Sequence, residues 1–374
     1  MFRIDIYDRA FRWKAPLGDF KKVEATLRWN AVSELTLTLA ASHHRAGLLA
    51  EPGARIRVRF RDMVFSGPVR QRKGAGPGVT GDIVFTAQSD FRILHNFLGY
   101  PNPSGTLAQQ GEESAYYTIG RRPAETVLKD VVRRNVVQRA GYSKLAVAED
   151  QGRGAVTAVT FRMHPLVDRL FPAMSDAGLG VTVVHDTDTQ GLVLDCHVPT
   201  PYPTKLTEQS RVIQKWEFSG VAPEATRGVI GAQGQGEARE FIGFGDAARE
   251  TAWGDVVEVF RDARDTSDST THAQRGQAAL DESAPRGSLT VELAESGNFR
   301  MLTKKGLNLG QVVTARVGPG IEVTDVLHEV GLSFAPADGL QLSATIGPKD
   351  DPLDNLMQAI TALSRGVHDL KAGT

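Results

Sequence analysis

The stretch ELTLTL, residues 34–39, alternates strictly between apolar and polar side chains. Leu35, Leu37 and Leu39 fall on one side of an extended chain, and the threonines fall on the other side. A period of two residues is typical of a half-buried antiparallel strand that keeps one face in water. This stretch therefore predicts a β-sheet whose leucine face covers a core.

The same alternation continues on both sides of this stretch. The other alternating segments are FRIDI at residues 2–6, RIRVRF at residues 55–60 and DIVFTA at residues 82–87. In RIRVRF, the face opposite the apolar side chains is entirely arginine, which predicts a solvated face. Turn signals separate the segments, at Pro52-Gly53, Gly67-Pro68 and residues 74–78. Closely spaced strands of this kind predict a small barrel or sandwich over residues 1–95.

The period then changes toward that of a helix. Residues 99–114 are rich in glycine, proline and serine, and they predict a loop or lid between domains. In RRPAETVLKDVVRRNVVQRAG, apolar residues recur about every 3.6 positions. This pattern predicts a helix with Pro123 at its first position and Gly141 after its end.

A second helix and a hairpin complete this part of the chain. The apolar stripe over residues 165–178 predicts a helix, which we expect to be kinked at Pro172. Residues 181–186 and 191–198 predict two strands around a polar turn. Residues 99–205 therefore form a small α/β unit.

Strand patterns return in the C-terminal part of the chain, between Val212 and Ile346. The predicted strands lie in VIQKWEF, TRGVIGAQ, REFIGFG, SLTVEL, VVTARV, EVTDVLHEV and LQLSATI, and one helix is predicted in THAQRGQAALDES. The fold class is therefore α+β and rich in β-structure, with two small antiparallel β-barrel domains, an α/β unit between them and a C-terminal helix. We divide the chain into residues 1–98, 99–210, 211–350 and 351–374.

The stretch RGVIGAQGQGEARE, residues 227–240, raises the question of a phosphate-binding loop. A dinucleotide fingerprint needs three glycines that lead into a helix, because the helix N-terminus binds the pyrophosphate. Here Arg239 stands where the third glycine would be, and REFIGFG downstream has the pattern of a strand. We therefore interpret the glycines as a hairpin turn, where they supply positive φ at low cost.

Candidate catalytic and metal-binding residues are scattered along the chain. The pairs His43-His44 and Cys196-His197, together with His185, match no metal-ligand spacing, and we interpret the histidines as solvated or capped. Polar runs that resemble turns contain the carboxylates Asp186, Asp188, Asp262, Asp265 and Asp268. We therefore predict no catalytic residue, no metal ligand and no cofactor.

Bulk properties narrow the function further. The 374 residues carry a formal net charge of −1, from 43 basic and 44 acidic side chains, so no global attraction to nucleic acid or to an anionic membrane is expected. No apolar run approaches the length of a membrane span. The N-terminal segment lacks the apolar centre of a signal peptide, so we expect folding in a cytoplasm. The single cysteine, Cys196, excludes an internal disulfide.

The C-terminal segment DPLDNLMQAITALSRGVHDLKAGT predicts a helix with a heptad seam. Six apolar residues recur at alternating spacings of three and four: Leu353, Leu356, Ile360, Leu363, Val367 and Leu370. Such spacing is typical of positions a and d in a coiled coil. An amphipathic helix that lies on its own domain would show the same stripe, so the residues alone leave both interpretations open.

Several sequence blocks, in a fixed order along nearly the whole chain, carry a resemblance to a known family. The blocks are WNAVSELTLTLAA at 29–41, VFSGPV at 64–69, FLGYPNP at 97–103, RRPAETVLKDVV at 121–132, LAVAEDQGRG at 145–154, AGLGVTVV at 177–184, GVIGAQGQGEAREF at 228–241 and WGDVVEVFRDARDT at 253–266. In these blocks and their spacing, the chain resembles the tail-tip hub proteins of siphophages that infect actinobacteria, often labelled minor tail proteins.

The resemblance implies a structural role in a virion. Members of this family are similar to the baseplate hub of contractile phages, with two small β-barrels and an α/β unit per chain. A homotrimeric ring, in which six barrels match the sixfold tail, would adapt that tail to a threefold fibre or spike. The implied partners are the distal tail protein ring, the central fibre or spike and other tail-tip proteins, after assembly in the host cytoplasm. The family brings no catalytic residues.

Two other classes of function remain as alternatives. A cell-wall hydrolase that acts at penetration would need acidic or Cys/His residues that converge in one cleft. A host-glycan binding module would need exposed aromatic side chains, yet aromatic residues make up only 7% of the chain and are not clustered in the sequence.

Overall fold

The chain divides into two compact units. A computed structural model describes residues 2–76, 80–111, 117–234, 236–264, 269–296, 299–318 and 321–347. The first unit contains Met1–Trp216 and Thr290–Ile346, and the second contains Glu217–Leu289. The four-part division at residues 98, 210 and 350 stays a prediction.

Seven strands and one short helix build the N-terminal region. They are β1 (Phe2–Tyr7), β2 (Trp13–Leu17), β3 (Lys22–Arg28), β4 (Glu34–Ala40), α1 (Ala46–Ala50), β5 (Arg55–Phe60), β6 (Met63–Ala75) and β7 (Asp82–Gln88). The strand ELTLTL is β4, and Leu35, Leu37 and Leu39 are all buried as its alternation predicts. Helix α1 and the 3-10 turn Asp90–Asn96 were not predicted, because neither contains enough turns to show a helical period.

Strand β6 corrects one prediction about turns. Gly67-Pro68 and Gly74 lie inside this 13-residue strand and do not end it. Its first half, through Pro68, pairs with β5, and its second half, from Val69 onward, pairs with β7. The register with β7 shifts directly after Val69. A glycine, a proline and a bulge therefore bend one strand through a corner instead of terminating it.

The α/β unit follows. Its elements are β8 (Leu98–Gly99), β9 (Tyr117–Pro123), α2 (Ala124–Val132), β10 (Leu145–Val147), β11 (Val156–Phe161), β12 (His164–Pro165), α3 (Leu166–Asp176), β13 (Gly180–Asp186) and β14 (Gly191–His197). A π-helical segment, Arg133–Arg139, continues α2. Both predicted helices and the predicted β13–β14 hairpin are present. Pro123 precedes the first helical residue instead of occupying it.

One apolar core holds the α/β unit together and extends into the N-terminal region. Helices α2 and α3 contribute side chains that are completely buried, among them Leu128 and Leu170. Phe11, Phe91 and Leu94, from the N-terminal region, belong to the same cluster. Because burial of apolar area is the main stabilising term, the α/β unit and the N-terminal strands stabilise each other.

The remaining elements occupy the C-terminal part. They are β15 (Leu206–Thr207), β16 (Ile213–Val221), β17 (Arg227–Gly231), β18 (Phe241–Gly245), α4 (Ala247–Trp253), β19 (Glu258–Asp262), α5 (Ser269–Glu282), β20 (Arg286–Leu293), β21 (Val312–Val317), β22 (Ile321–Ala335) and β23 (Gly339–Ile346). In the second unit, β17 pairs antiparallel with β18 and parallel with β19. Helix α4 and strand β19 were not predicted. The helix has only seven residues, which is too short for a helical period to show in the sequence.

The largest sheet joins strands from both ends of the sequence. Its order is β16-β20-β23-β22-β3-β4-β7-β6-β5-β1-β2, with β21 on β22 and β15 on β21. Strand β3 pairs with β22 over Val23–Arg28, which brings residues about three hundred positions apart into register. The β-rich α+β class is confirmed. Among the described strands this sheet is open, and no closed barrel is found.

Strand β22 turns a corner in the same manner as β6. Its first residues, up to Val326, pair with β21, and residues 329–334 pair with β3. The register with β23 shifts between Leu327 and Glu329, at the change of partner. Each β-rich region thus contains one long strand that carries a bulge where it passes from one group of strands to the next.

Candidate functional site

The predicted oligomer seam belongs to the C-terminal segment, residues 351–374. All six of its residues lie outside the described part of the chain: Leu353, Leu356, Ile360, Leu363, Val367 and Leu370. The seam therefore stays a prediction, and the candidate functional features are sought in the two described units.

A buried ionic cluster lies in the α/β unit. On α2, Glu125 and Lys129 are one helical turn apart and essentially without exposure to solvent. Lys129 donates to Glu125 Oε1 at 2.6 Å, to the carbonyl oxygen of Glu149 at 2.7 Å and to Asp195 Oδ1 at 3.0 Å. Arg153 donates through its side chain to both oxygens of Glu125, and its backbone N–H also donates to Oε2. Two cations and two carboxylates therefore neutralise one another.

The pKa values in this cluster follow its hydrogen bonds. Burial alone would raise the pKa of Glu125, but hydrogen bonds from Arg153 and Lys129 outweigh it and lower this pKa to about 2. Burial would also lower the pKa of Lys129, yet its bonds to Glu125 and Asp195 raise it above the ordinary value. All four groups are therefore charged at neutral pH. The cluster holds the segment LAVAEDQGRG against α2 and β14. Its pKa values lie far from neutral pH, so it is not suited to acid–base catalysis.

The only cysteine lies beside this cluster. Cys196, on β14, is buried in the apolar core. Burial raises the pKa of its thiol to about 12. Because the thiolate is the nucleophilic form, this side chain is inert at neutral pH and acts as a small apolar core residue.

His185 corrects the interpretation of the histidines as solvated or capped. This side chain is only 2% exposed, and neither ring nitrogen has a hydrogen-bond partner in the part of the chain that the structure describes. The rings of Tyr7 and Phe11 contact it edge-on, with centroid distances of 4.5 and 5.1 Å. Its backbone N–H donates to Ser66 Oγ at 3.0 Å, which ties β13 to β6. The imidazole therefore fills a gap at the junction between the α/β unit and the N-terminal strands.

The surroundings of His185 also correct the prediction of a solvated arginine face on RIRVRF. Arg55 is buried, forms an ion pair with Asp90 and lies 4.0 Å from the centroid of the Phe11 ring. Asp90 also accepts from Ser66 Oγ at 2.7 Å. The sequence pattern could not show this burial, because the compensating carboxylate is thirty-five residues away. Arg59, in contrast, is exposed as predicted.

Acidification should weaken this junction. Burial and nearby Arg55 lower the pKa of His185 to about 4, with Arg57 acting in the same direction and Asp90 and Asp186 opposing it. The unfolded chain binds this proton near the ordinary pKa of 6.5, so stability falls as the pH drops from about 6.5 to 4. We expect His185→Phe to remove a pH-dependent loss on the order of 3 kcal/mol, measured by urea unfolding across this range.

A matched control separates this effect from other titrations. His44 is exposed, so His44→Phe should leave the pH dependence of the wild type unchanged. An unaltered slope in His185→Phe would show that the buried imidazole does not cause the acid sensitivity.

The other candidate residues named from the sequence occupy local structural roles where the structure describes them, and Asp265 and Asp268 lie outside the described residues. His43 and His44 stack on each other, and the Nε2 atom of His43 lies 3.1 Å from the carbonyl oxygen of Gly18. Asp186 accepts from the backbone of Asp188 and from the hydroxyl of Thr189, which confirms it as a turn former. Within the described ranges, no three His, Cys, Asp or Glu residues are placed to hold a metal ion.

The glycine-rich stretch is a hairpin, as predicted. It connects β17 and β18, and Gly234 and Gly236 adopt φ values of 113° and 57°. Asp262 accepts from Arg239 at 2.8 Å and from Arg264, so it has a structural pairing role.

Exposed aromatic side chains gather in the second unit, although they are dispersed in the sequence. Four of the five exposed aromatic residues among the described side chains belong to it: Phe218, Phe241, Trp253 and Phe260, with Trp13 as the exception. The register places Phe241 and Phe260 on one face of the β18-β17-β19 sheet. The guanidinium of Arg239 lies 5.4 and 5.5 Å from the centroids of these two rings. The fold therefore places Phe241 and Phe260 on one face, although they lie apart in the sequence.

These features, with the open sheet and its two bent strands, can be compared with known proteins. The sequence matches the Siphovirus ReqiPepy6 Gp37-like protein family over residues 3–348. The chain belongs to this family. Comparison with curated proteins by sequence finds no match. Within the described residues, no helix has the length and apolar character that a membrane span requires.

Three solved structures share the fold along almost the whole chain. The 43 kDa tail protein of prophage MuSo2 from Shewanella oneidensis is 14% identical, with a TM-score of 0.57 and coverage of 92% of this chain and 97% of the relative. Prophage tail protein gp18 from Listeria monocytogenes EGD-e is 12% identical, with a TM-score of 0.56 and coverage of 97% and 99%. The tail protein from Neisseria meningitidis MC58 is 11% identical, with a TM-score of 0.56 and coverage of 93% and 97%. By family the chain is therefore a siphovirus Gp37-like protein, and it shares the fold of these three tail proteins.

Proposed function

We propose that this Gp37-like protein is the structural hub of a siphophage tail tip. The observation that carries the proposal is the fold match to prophage tail proteins, which extends over more than nine-tenths of both chains. A match of this extent leaves little of the described chain for an added catalytic domain. The protein would close the distal end of the tail and take part in host attachment and DNA delivery.

The two bent strands support the proposal of two related β-barrels per chain. A strand that crosses a corner with a bulge is the usual device by which a sheet curls toward closure. Both β6 and β22 have this device, one in each β-rich region. In a ring of three chains, two such regions per chain would present six similar surfaces to a sixfold tail, and the threefold side would receive a central fibre or spike.

The exposed aromatic cluster of the second unit supports an assembly role. Large aromatic side chains are enriched at protein interfaces, and contiguous apolar patches on monomers commonly mark them. Phe241 and Phe260 expose 59% and 51% of their surfaces. The distal tail protein ring and other tail-tip proteins are the proposed partners in the virion.

We also propose that the protein has no enzymatic activity. The buried carboxylate of Glu125 is engaged by Lys129 and Arg153, the half-exposed carboxylate of Asp195 pairs with the same two cations, and the thiol of Cys196 is buried in its protonated form. Incubation of the pure protein with actinobacterial cell wall tests this proposal. Release of fragments that stops when one acidic residue or histidine is changed would establish a hydrolase instead.

Purified wild-type protein is expected to sediment as a trimer. The predicted C-terminal seam would leave an apolar stripe on a monomer, and association would remove that stripe from water. Leu356→Asp or Leu363→Asp should shift the equilibrium toward monomer, because each change places a charge in an apolar interface. Analytical ultracentrifugation of the wild type, both variants and a chain that ends at Asp351 measures the effect.

The outcomes separate the hub from the role of the seam. A truncated chain that trimerises as well as the wild type would remove only the seam from the proposal. A wild type that stays monomeric at high concentration, together with virions that lack threefold density at the tail tip, would contradict the hub itself.

A further inference from the structure

A polar pocket lies between the end of the FLGYPNP bend, with the two residues that follow it, and the π-helical segment Arg133–Arg139. Its volume is about 400 Å³, and its walls come from one loop and one helical face. The lining residues are Pro103, Ser104, Gly105, Arg134, Gln138 and Arg139. None of the features described above uses this pocket.

Buried side chains hold the loop side of the pocket in place. Asn135, which is fully buried, accepts the backbone N–H of Tyr100 at 3.0 Å. Gln110 accepts from the backbone N–H of Asn102 and donates to the carbonyl oxygens of Asn102 and Thr106 at 2.8 and 2.9 Å. The bend is therefore preorganised, so a ligand need not order it.

Arg139 is held in the pocket with no carboxylate partner among the described residues. Its guanidinium carbon lies 3.8 Å from the centroid of the Tyr100 ring, which fixes the plane of the group. Its Nε atom is buried and has no hydrogen-bond partner among the described residues. Arg134 differs, because it forms an ion pair with Asp130 at 2.8 Å.

The backbone of this segment also differs from an ordinary helix. Residues Arg133–Arg139 form a π-helix that directly continues α2. Wide helical turns of this kind cost stability and occur frequently at functional sites. Here the wide turn carries Gln138 and Arg139 to the side of the loop.

We infer that this pocket binds an oxyanion, a carboxylate or a phosphate group, carried by a sugar-sized molecule. A planar guanidinium offers paired N–H donors that match the oxygens of both anions. Gln138, on the helical wall, and Ser104, on the loop wall, supply neutral donors. The volume exceeds that of a free ion, so the anionic group is expected to be part of a larger ligand. This inference does not depend on the hub assignment.

The test is calorimetric titration of the full chain with three matched sugars. Glucose 6-phosphate and glucuronate carry the two candidate anions, and glucose carries neither. We expect at least one anionic sugar to bind more tightly than glucose, and the stronger one identifies the anion. Equal binding of all three, or no binding of either anionic sugar, would overturn the inference.

Variants of the pocket supply the second part of the test. Arg139→Gln should weaken binding of the anionic sugar by roughly tenfold or more, as expected for loss of a charge-assisted contact. Arg133→Gln changes a cation on the same segment that does not line the pocket, and it should retain wild-type affinity. Ser104→Asp, on the exposed loop, should also abolish binding, because it adds a negative charge without touching the helix. Unchanged affinity in both Arg139→Gln and Ser104→Asp would refute the site.

Discussion

Glu125→Gln is expected to lower the free energy of unfolding by about 3–5 kcal/mol, the range for removing one partner of a buried ion pair. Glu125 is fully buried, and it separates the charges of Lys129 and Arg153. A neutral amide would leave these two cations close together, with Asp195 as their remaining carboxylate among the described residues, and the Lys129 ammonium would stay buried.

Unfolding in urea, monitored by hydrogen exchange at the amides of α2, measures this loss of stability locally. A local measurement is needed because a chain of two units need not unfold in one step. Glu322→Gln is the matched control. Glu322 accepts both of its 2.8 Å bonds from Lys205, but this pair is exposed, so its loss should cost less than about 1 kcal/mol. Equal losses in the two variants would contradict the importance of burial.

Coupling between the two helix residues gives an independent check. In the double variant Glu125→Gln/Lys129→Met, the uncompensated ammonium is also removed, so the loss should be smaller than the sum of the two single losses. The low pKa of Glu125, about 2, adds a pH signature. Its contribution should be complete above the ordinary pKa of 4.5 and should disappear as the pH falls toward 2, and Glu125→Gln should lack this dependence.

The elements that the sequence predicts are those with a local period. The alternation in ELTLTL, the hairpin of β13 and β14 and the helices α2, α3 and α5 each repeat within a short window, and all are present. Helix α4 is too short to show such a period. Pattern reasoning therefore succeeds where one segment contains its own evidence.

The candidate sites depend on contacts between distant segments, which a single sequence does not display. Arg55 has the pattern of a solvated side chain until Asp90 and the α/β unit cover it. Phe241 and Phe260 become neighbours only because β17 pairs with both of their strands. The pairing of β3 with β22 likewise leaves no local trace. Gly67-Pro68 has the pattern of a turn for the same reason. Gly67 is needed because the backbone of Gln88, at the end of β7, lies close to it, and the local sequence does not show that contact.

Gly67→Ala is expected to destabilise the N-terminal strands by about 3 kcal/mol or more, at the upper end for overpacking. A Cβ atom at position 67 would lie 1.8 Å from the carbonyl oxygen of Gln88 and 2.7 Å from its carbonyl carbon. Both are backbone atoms at the end of β7, so they cannot rotate away as a side chain could. The clash falls at the corner where β6 changes its partner from β5 to β7, and relief would require separating those strands.

Gly74→Ala tests whether the corner, and not glycine in a strand as such, causes the effect. Gly74 lies in the same strand, where a Cβ atom would lie 3.4 Å from Ile83 Cγ1 and 3.7 Å from the carbonyl oxygen of Asp82, which are ordinary contact distances. Alanine there should be tolerated and could even stabilise the strand slightly, because it reduces the freedom of the unfolded chain. Urea midpoints, with hydrogen exchange at the amides of β6 and β7, distinguish the two variants. If Gly67→Ala matched Gly74→Ala in stability, the close approach of β6 to Gln88 would not be needed for the corner. The argument that β6 and β22 both bend at a bulge where they change partner would then lose its structural basis.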